Sequence, residues 1–480
     1  MYFINIYSVF NIRGSIMRRY IHFAIAFMVM GHVLINKPYA STVSSTPPRI
    51  IATYNHAEKP EETFTLENIP WSKITHFMYA GATINLSDFS LSYPDTLWNA
   101  LLYCNTLRSS YNVKLLISVG GAENSSFFPK AAGNLAQINI FAGSCINLIK
   151  TLSLDGVNIS WNFPADTLEC KEYLQLLQAL RRVTDSVSTR EKRDLLLTVS
   201  IPGMIDRIDG TNGKTDIAQT AGLVDWINID SYDYHTSADS FTCHHAPIFK
   251  NSMDKSVFFP VNKPAMYNCD SVVRYCVSTL GVPSDKITIG TAFYGRSWEN
   301  VDQGDQMFGL FQKGTFRDST RGSKPFGIDD FYVLHTIELS KPEFCHYDSV
   351  SQEPWIYDAI NKIFHTYENE RSVKEKCRYI LDNNLGGICI NTISGDAPLG
   401  GCLLTSTIQS MLNPQTIEFE QKREIPGFTI LSTSSGVPRL FDLRGALISR
   451  KSVLHAPSVS GTYVIFKNGV PQKLITFENK

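Results

Sequence analysis

A chain of 480 residues, 43% hydrophobic and 19% charged, can bury one large core with smaller modules attached and is too apolar to be disordered. Its 44 Lys and Arg against 45 Asp and Glu leave a formal charge of -1. Bulk electrostatics therefore recruits neither nucleic acid nor a membrane surface.

At the amino terminus, Arg18 and Arg19 precede an apolar stretch from Ile21 to Ile35, and Tyr39-Ala40-Ser41 offers small residues for cleavage. This is the layout of a secretory signal over residues 1–41, with Met17 as an alternative start. The stretch is interrupted by His22 and His32 and falls short of about 20 residues, which disfavours a permanent transmembrane anchor. The expectation is a secreted or extracytoplasmic protein, with cell-surface attachment left open. Residues 42–48, rich in Ser, Thr and Pro, read as a linker.

Eight apolar, strand-like runs follow, separated by helical or loop segments: 49–54, 75–80, 114–121, 154–162, 195–203, 224–233, 287–298 and 386–396. A helical pattern over Cys170–Val187 typifies the intervening segments. The alternation predicts an α/β fold with a parallel sheet, and periodicity alone does not distinguish a closed barrel from an open doubly wound sheet. About ninety residues separate the seventh and eighth runs, more than a strand-to-helix connection needs. Residues 415–480 change character, with strand-like stretches at Phe428–Leu431, Arg439–Phe441, Gly461–Phe466 and Gln472–Phe477 and turns at Ser434-Ser435-Gly436 and Asn468-Gly469. They predict a small β-sandwich.

Ten cysteines lie past the signal, an even number that in an exported chain favours several disulfides. No CxxC pair or Cys/His cluster has metal spacing. The neighbours Cys243, His244 and His245 lack an evident fourth partner, and adjacent side chains rarely converge on one ion, so no metal and no cofactor are expected.

The fourth run, Leu154-Asp155-Gly156-Val157-Asn158-Ile159-Ser160-Trp161-Asn162-Phe163-Pro164, resembles the signature strand of glycoside hydrolase family 18, the chitinases and their relatives. In active members that strand reads Asp-Gly-x-Asp-x-Asp-Trp-Glu-Tyr-Pro. Asp155, Gly156, Trp161 and Pro164 match, while Asn158, Ser160 and Asn162 stand where two Asp and the proton-donating Glu belong. Ser118-Val119-Gly120-Gly121 matches the family's Ser-x-Gly-Gly. The resemblance covers roughly 49–405 and implies an eightfold β/α (TIM) barrel, with 299–371 as the small α+β insertion domain that walls the sugar cleft in many family chitinases. Phe441-Asp442-Leu443-Arg444-Gly445 and Gly461-Thr462-Tyr463-Val464 resemble carboxy-terminal sorting modules of some Gram-negative bacteria; a plain accessory domain is the alternative.

The family's hydrolysis uses the substrate's own 2-acetamido group as nucleophile and needs an acid to protonate the leaving oxygen. Strand alternation puts positions 158, 160 and 162 on one inward face. A carboxamide is no Brønsted acid near neutral pH, and Ser cannot replace an aspartate's charge. General acid catalysis alone is worth roughly 10²–10⁴ in rate, so family-like hydrolysis is not expected unless Asp230, Asp233 or Glu299 serves instead. Asp155 is read as structural. Trp161, Tyr232, Asp233, Tyr294, Arg296 and Asn391 are the positions the resemblance assigns to sugar contact. The family pattern is broken at two places: Asp230, beside Tyr232, replaces a Met, and Asn391, itself one of these positions, replaces the Trp that floors the central sugar.

These substitutions imply an inactive protein binding N-acetylglucosamine oligosaccharides or a chitin-like glycan. The lost Trp also raises the alternative of a scaffold or inhibitor for a protein partner. An enzyme with an unfamiliar acid is the third reading, and no nucleic-acid partner is expected.

Overall fold

The computed structural model describes residues 47–55, 64–162, 164, 166–208, 216–254, 266–317, 327–396 and 401–413, with strand backbones at 439–441, 447–449, 461–467 and 470–477. The expected signal, most of the linker, and the stretches Phe428–Leu431 and Ser434-Ser435-Gly436 lie outside the described residues.

Eight parallel strands close on themselves: β1 (Arg49–Asn55), β2 (His76–Ile84), β3 (Lys114–Gly120), β4 (Gly156–Ser160), β5 (Leu196–Pro202), β6 (Trp226–Asp230), β7 (Ile287–Ala292) and β8 (Gly387–Asn391). Each pairs with its sequence neighbours, and β8 pairs with β1 to complete the barrel. The expected strands are thus found in order, the first two running on to Asn55 and Ile84 and the other six trimmed at one or both ends. Helices α1 (Asp95–Arg108), α2 (Leu135–Thr151), α3 (Thr167–Glu191) and α4 (Glu370–Asp382) are among those that cover the outside. Each strand turns one set of side chains toward these helices and the other inward. Ile51, Met78, Leu116, Trp226 and Cys389 form an apolar cluster apart from the main core, so one end of the barrel is plugged and the other remains polar.

Trp161 follows β4 and packs outward. Its ring stacks on Phe128 at 5.1 Å and meets Tyr173 of α3 edge-on at 5.8 Å, leaving it 3% exposed. The sugar-contact role given to Trp161 by resemblance is corrected: at an odd step from the inward positions 158 and 160, it belongs to the layer between strands and helices.

The seventh expected strand is two strands. After Phe293, Tyr294–Glu299 leaves the barrel and enters a second sheet, pairing antiparallel with Thr315–Phe316, Ile328–Asp330 and Ile363–Thr366. Glu353–Asp358 and Cys345–Asp348 extend it. Phe331–Ser340 is its helix, and Trp298, Val301, Leu310, Trp355, Tyr357 and Phe364 form its core. The insertion therefore begins at Tyr294, before the expected Glu299. The carboxy-terminal unit, residues 414–480, contains one four-stranded antiparallel sheet among its described residues, in the order 447–449, 439–441, 461–467, 470–477.

None of the ten cysteines is half of a disulfide, and all but Cys345 are buried. The expected bridges are corrected: Cys104, Cys145, Cys269, Cys276 and Cys377 sit in the main core as small apolar side chains. Among the described residues, no helix is long and apolar enough to cross a membrane.

Asp155 is structural in the fold. Its carboxylate pairs with Arg108 of α1, lies 3.4 Å from Lys114 Nζ and accepts the Leu115 N–H at 2.9 Å. Burial alone would raise its pKa, but the Leu115 amide and the Arg108 guanidinium outweigh that and hold it below the usual carboxylate range. Asp155→Ala should cost about 3 kcal/mol at neutral pH, because it strands a largely buried guanidinium. A depressed folded pKa means the ion pair stabilises above the unfolded value and is lost as pH falls through the folded one. The gap between variant and parent in urea denaturation should therefore shrink below about pH 4.

Candidate functional site

The polar end of the barrel is built from alternate residues of β3 to β7. Asn158 is 1% exposed, so both ends of its carboxamide need partners. Its Nδ2 donates to Ser118 Oγ at 2.9 Å and Ser200 Oγ at 3.1 Å. Its Oδ1 accepts from Thr198 Oγ1 at 2.8 Å and Asn228 Nδ2 at 3.2 Å. Asn228 Oδ1 in turn accepts from Thr288 Oγ1 at 2.8 Å and Trp226 Nε1 at 2.9 Å. The result is a neutral network across five strands in which every Asn158 amide position is used.

Above it, Ser160 Oγ donates to Asn162 Oδ1 at 3.1 Å, and the Asn162 N–H donates to Ser125 Oγ at 2.8 Å. Asn158, Ser160 and Asn162 thus form the inward ladder that strand alternation predicts, with no carboxylate in it. Thr198, Ser200, Asn228 and Thr288 were not singled out from the sequence. Polar residues inside otherwise apolar strand runs, with Thr198 and Ser200 two apart on one face of β5, were the available signal.

A charged cluster stands at the mouth where β6 and the insertion sheet meet. Asp233, at a left-handed φ of 56°, accepts Arg296 Nε at 2.7 Å, Arg296 Nη2 at 2.6 Å and Tyr294 Oη at 2.8 Å. The Arg296 contact is bidentate, the strong geometry for a guanidinium on a carboxylate. His245 Nδ1 lies 3.6 Å from the same carboxylate. Burial opposes the Asp233 charge, but the Arg296 charge, its two hydrogen bonds and the nearby His245 ring hold its pKa well below the usual range. The four expected residues Tyr232, Asp233, Tyr294 and Arg296 are therefore brought together: the rings of Tyr232 and Tyr294 meet edge-on at 6.3 Å, and Arg296 lies 5.4 Å over the Tyr294 ring. His245 joins them, a member the sequence reading missed because it lies twelve residues on in a loop.

Tyr232 packs on Gly290, where a Cβ would come within 2.6 Å of its ring, and its hydroxyl donates to Asp230 Oδ1 at 2.9 Å. Burial, together with the nearby Asp233 charge and against the Tyr232 hydrogen bond, pushes Asp230 up to about 7. The strand registers Asn158↔Thr198 and Pro202↔Asp230, continued to the mouth, place Asn162 level with Asp230 across one intervening strand, a backbone separation of about 10 Å. Asn391 ends β8, where its carbonyl accepts the Phe293 N–H at 2.9 Å and its Oδ1 accepts Thr53 Oγ1 at 3.3 Å, presenting a small amide where the family pattern has an indole. Glu299, the remaining acid considered from sequence, ends the strand that pairs with Thr315–Phe316 in the insertion sheet.

The profile of the glycosyl hydrolases family 18 matches residues 50–396. Among curated proteins, chitinase A1 of Niallia circulans is 28% identical over 299 residues, covering 60% of this chain and 41% of that protein. The chain thus spans about two fifths of that relative's length. Chitinase 1 of Aphanocladium album is 26% identical over 371 residues, covering 72% and 82%. Among solved structures, a class V chitinase from Nicotiana tobaccum in complex with NAG4 superposes at a TM-score of 0.66, with 21% identity over 76% of this chain and 99% of that one. A chitinase-like agglutinin from Robinia pseudoacacia does so at 0.62, with 19% identity over 75% and 99%. At these identities the structural likenesses establish the fold.

An acid whose folded pKa exceeds its unfolded one binds more protons when folded, so its contribution to stability falls as pH rises through the interval between them. For Asp230 that interval runs from about 4 to about 7. Asp230→Asn keeps the acceptor for Tyr232 and removes the buried charge. Its melting temperature relative to the parent should climb across that interval and be highest at pH 8, which paired thermal scans would measure.

Proposed function

The chain belongs to the glycosyl hydrolases family 18, and from that membership we propose that it is an exported, catalytically inactive chitinase-like protein that binds N-acetylglucosamine-containing glycans of the chitin type. One observation carries the reading. The sugar-facing cluster Tyr232–Asp233–Tyr294–Arg296 is assembled at the barrel mouth, while the ladder beneath it, Asn158–Ser160–Asn162, holds no acid. Matches to proteins named chitinases, and to one solved with NAG4, support the ligand class.

The same geometry explains why binding would not lead to hydrolysis. A leaving alkoxide must be protonated as the glycosidic bond breaks, and the Asn162 carboxamide has no proton to give at neutral pH. The Ser160 hydroxyl is directed at Asn162 Oδ1 rather than held as a charge beneath the acetamido group. Without an anion there, the positive charge that develops on the participating acetamido has no counterpart. Tyr232, Asp233, Tyr294 and Arg296 would supply hydrogen bonds and aromatic surface to a sugar, and none of these contacts is specific to the transition state.

Asp230 favours a second reading. A carboxyl poised near pH 7 at the mouth, level with Asn162, could hold the proton that Asn162 lacks. In that case the protein would be a slow glycosidase with Asp230 as its acid.

Calorimetric titration with chito-oligosaccharides of increasing length tests the proposal. Affinity should rise with length, Asn391→Trp should tighten it roughly tenfold by restoring an apolar platform, and product analysis should find no cleavage. Absence of heat in both proteins would overturn the glycan reading, whereas cleavage that disappears in Asp230→Asn would establish the second. The combined Asn158→Asp, Ser160→Asp, Asn162→Glu protein should gain hydrolysis. The partners of residue 158 are hydroxyls and an amide, all competent to donate to a carboxylate.

Export rests on the amino-terminal pattern of Arg18-Arg19, the apolar run and Tyr39-Ala40-Ser41. Intact-mass measurement of protein from an expressing culture should find it outside the cytoplasm with a new amino terminus near Ser41; a full-length intracellular chain would refute export.

A further inference from the structure

The loop after β6, which carries Asp233 and His245 to the site, also brings together His235, Cys243 and Asp254. One donor atom from each lies within 4.8 Å of the others. His235 Nε2 is 3.5 Å from Asp254 Oδ2, and His235 Nδ1 is 3.2 Å from Asp239 Oδ2. His235 is 1% exposed, Cys243 3% and the Asp254 side chain 10%, so the cluster is inside the protein.

We propose that His235 Nε2, the Cys243 thiolate and Asp254 form a binding site for a zinc-class divalent metal ion. Three observations carry it. First, four donors at about 2.0–2.3 Å from a tetrahedral ion lie roughly 3.3–3.8 Å apart; the His235–Asp254 distance of 3.5 Å falls in that range, and the Cys243 sulfur lies within 4.8 Å of both. Second, the imidazole is held as a metal ligand is held. Its far nitrogen faces the Asp239 carboxylate, which also accepts the Thr236 N–H at 2.9 Å, while the main chain of Asp239 is fixed by the Trp298 indole at 2.9 Å. A carboxylate behind a ligating histidine sets its tautomer and ring orientation. Third, the charges favour a cation. The two anionic ligands, the thiolate and the Asp254 carboxylate, match the charge of a divalent cation, and the Asp239 carboxylate behind His235 leaves the buried cluster with one net negative charge in place of a larger one. A cavity of about 10 Å³ beside Cys243, Asp254 and Tyr267 has room for about one water as fourth ligand.

The sequence reading weighed Cys243 with His244 and His245. The structure sends those two histidines elsewhere: His244 Nε2 to Asp348 at 3.1 Å, and His245 toward Asp233 at 3.6 Å. The ligands instead come from positions 235, 243 and 254, spaced by eight and eleven residues, a pattern no short motif describes. Bound metal would pin the loop that carries Asp233 without touching the sugar. It has three protein ligands, a thiolate, an imidazole and a carboxylate, all of which zinc takes, with the fourth position left to water.

The test uses the full purified chain, stripped with chelator and titrated with Zn²⁺ and, as a spectroscopic probe, Co²⁺. The expected result is one tight equivalent of Zn²⁺, a rise in melting temperature on its addition, and a thiolate-to-cobalt charge-transfer band with tetrahedral Co²⁺. Cys243→Ser should abolish the band, Asp254→Asn should weaken binding at least tenfold, and Asp239→Asn should weaken it about 10–100-fold through its hold on His235. Cys145→Ser, which alters a core thiol on α2 away from the cluster, should leave band and stoichiometry unchanged. Absence of a stoichiometric equivalent, an octahedral cobalt spectrum without the thiolate band, or a band surviving Cys243→Ser would overturn the proposal. Because the first two outcomes are read on the unmutated chain, a variant that fails to fold does not shelter it.

Discussion

Everything at the polar end of this barrel depends on one constraint: a group facing the inside of a closed sheet must find its hydrogen bonds there. Asn158 meets it with four partners from four other strand positions, and Asn228 carries the same network on to Thr288 and Trp226. Because all these groups are neutral, the network satisfies its polar atoms without a buried charge, which would need a counter-ion or a raised pKa. A carboxylate ladder needs a function to justify its electrostatic cost; an amide and hydroxyl ladder is stable by itself. The substitutions at 158, 160 and 162 are mutually consistent in this sense, and they leave the strand pairing of β4 intact.

The mouth follows the opposite rule. There Asp233 keeps its charge because Arg296, on the first strand of the insertion, reaches back with both ends of its guanidinium. The pair ties a barrel loop to the insertion sheet, so the same contact that shapes the mouth also fixes the insertion strand relative to the barrel. Lys376 and Glu368 do similar work behind β7, where a buried ion pair at 2.9 Å hands its remaining hydrogen bonds to Gly290 O and the Ala292 N–H.

Much of the fold was legible in the sequence. The eight strand runs, their order and the insertion between the last two follow from apolar patterning and from a signature strand whose small residues and proline survive. What the sequence concealed has physical causes. Trp161 matched a family position, yet its parity on β4 sends it outward against Phe128; identity at an aligned position does not fix direction. The seventh run reads as one strand because Phe293 is as apolar as its neighbours, although the chain leaves the barrel there. The cysteines suggested bridges by number, but a thiol in a well-packed core needs no partner, and pairing depends on distances that spacing does not reveal. His245 and the His235–Cys243–Asp254 group are brought together by a loop, whose path no periodicity encodes.

Asp230 ties these strands of argument together. In the family pattern its position is an apolar Met above a ladder of three acids; here the ladder is neutral and the acid stands on β6. Placing Asp230 over three ladder carboxylates as well as Asp233 would crowd negative charge around a single guanidinium, and repulsion would drive several protons onto the cluster. With the ladder neutral, Asp230 contends mainly with burial and with one anion, and it settles near neutrality, hydrogen-bonded by Tyr232. The loss of acids at β4 and the gain of one at β6 are thus electrically linked. Relative to the family pattern, the mouth carries a single titratable group on β6 in place of a set of acids along β4, so its charge depends on pH through one carboxyl.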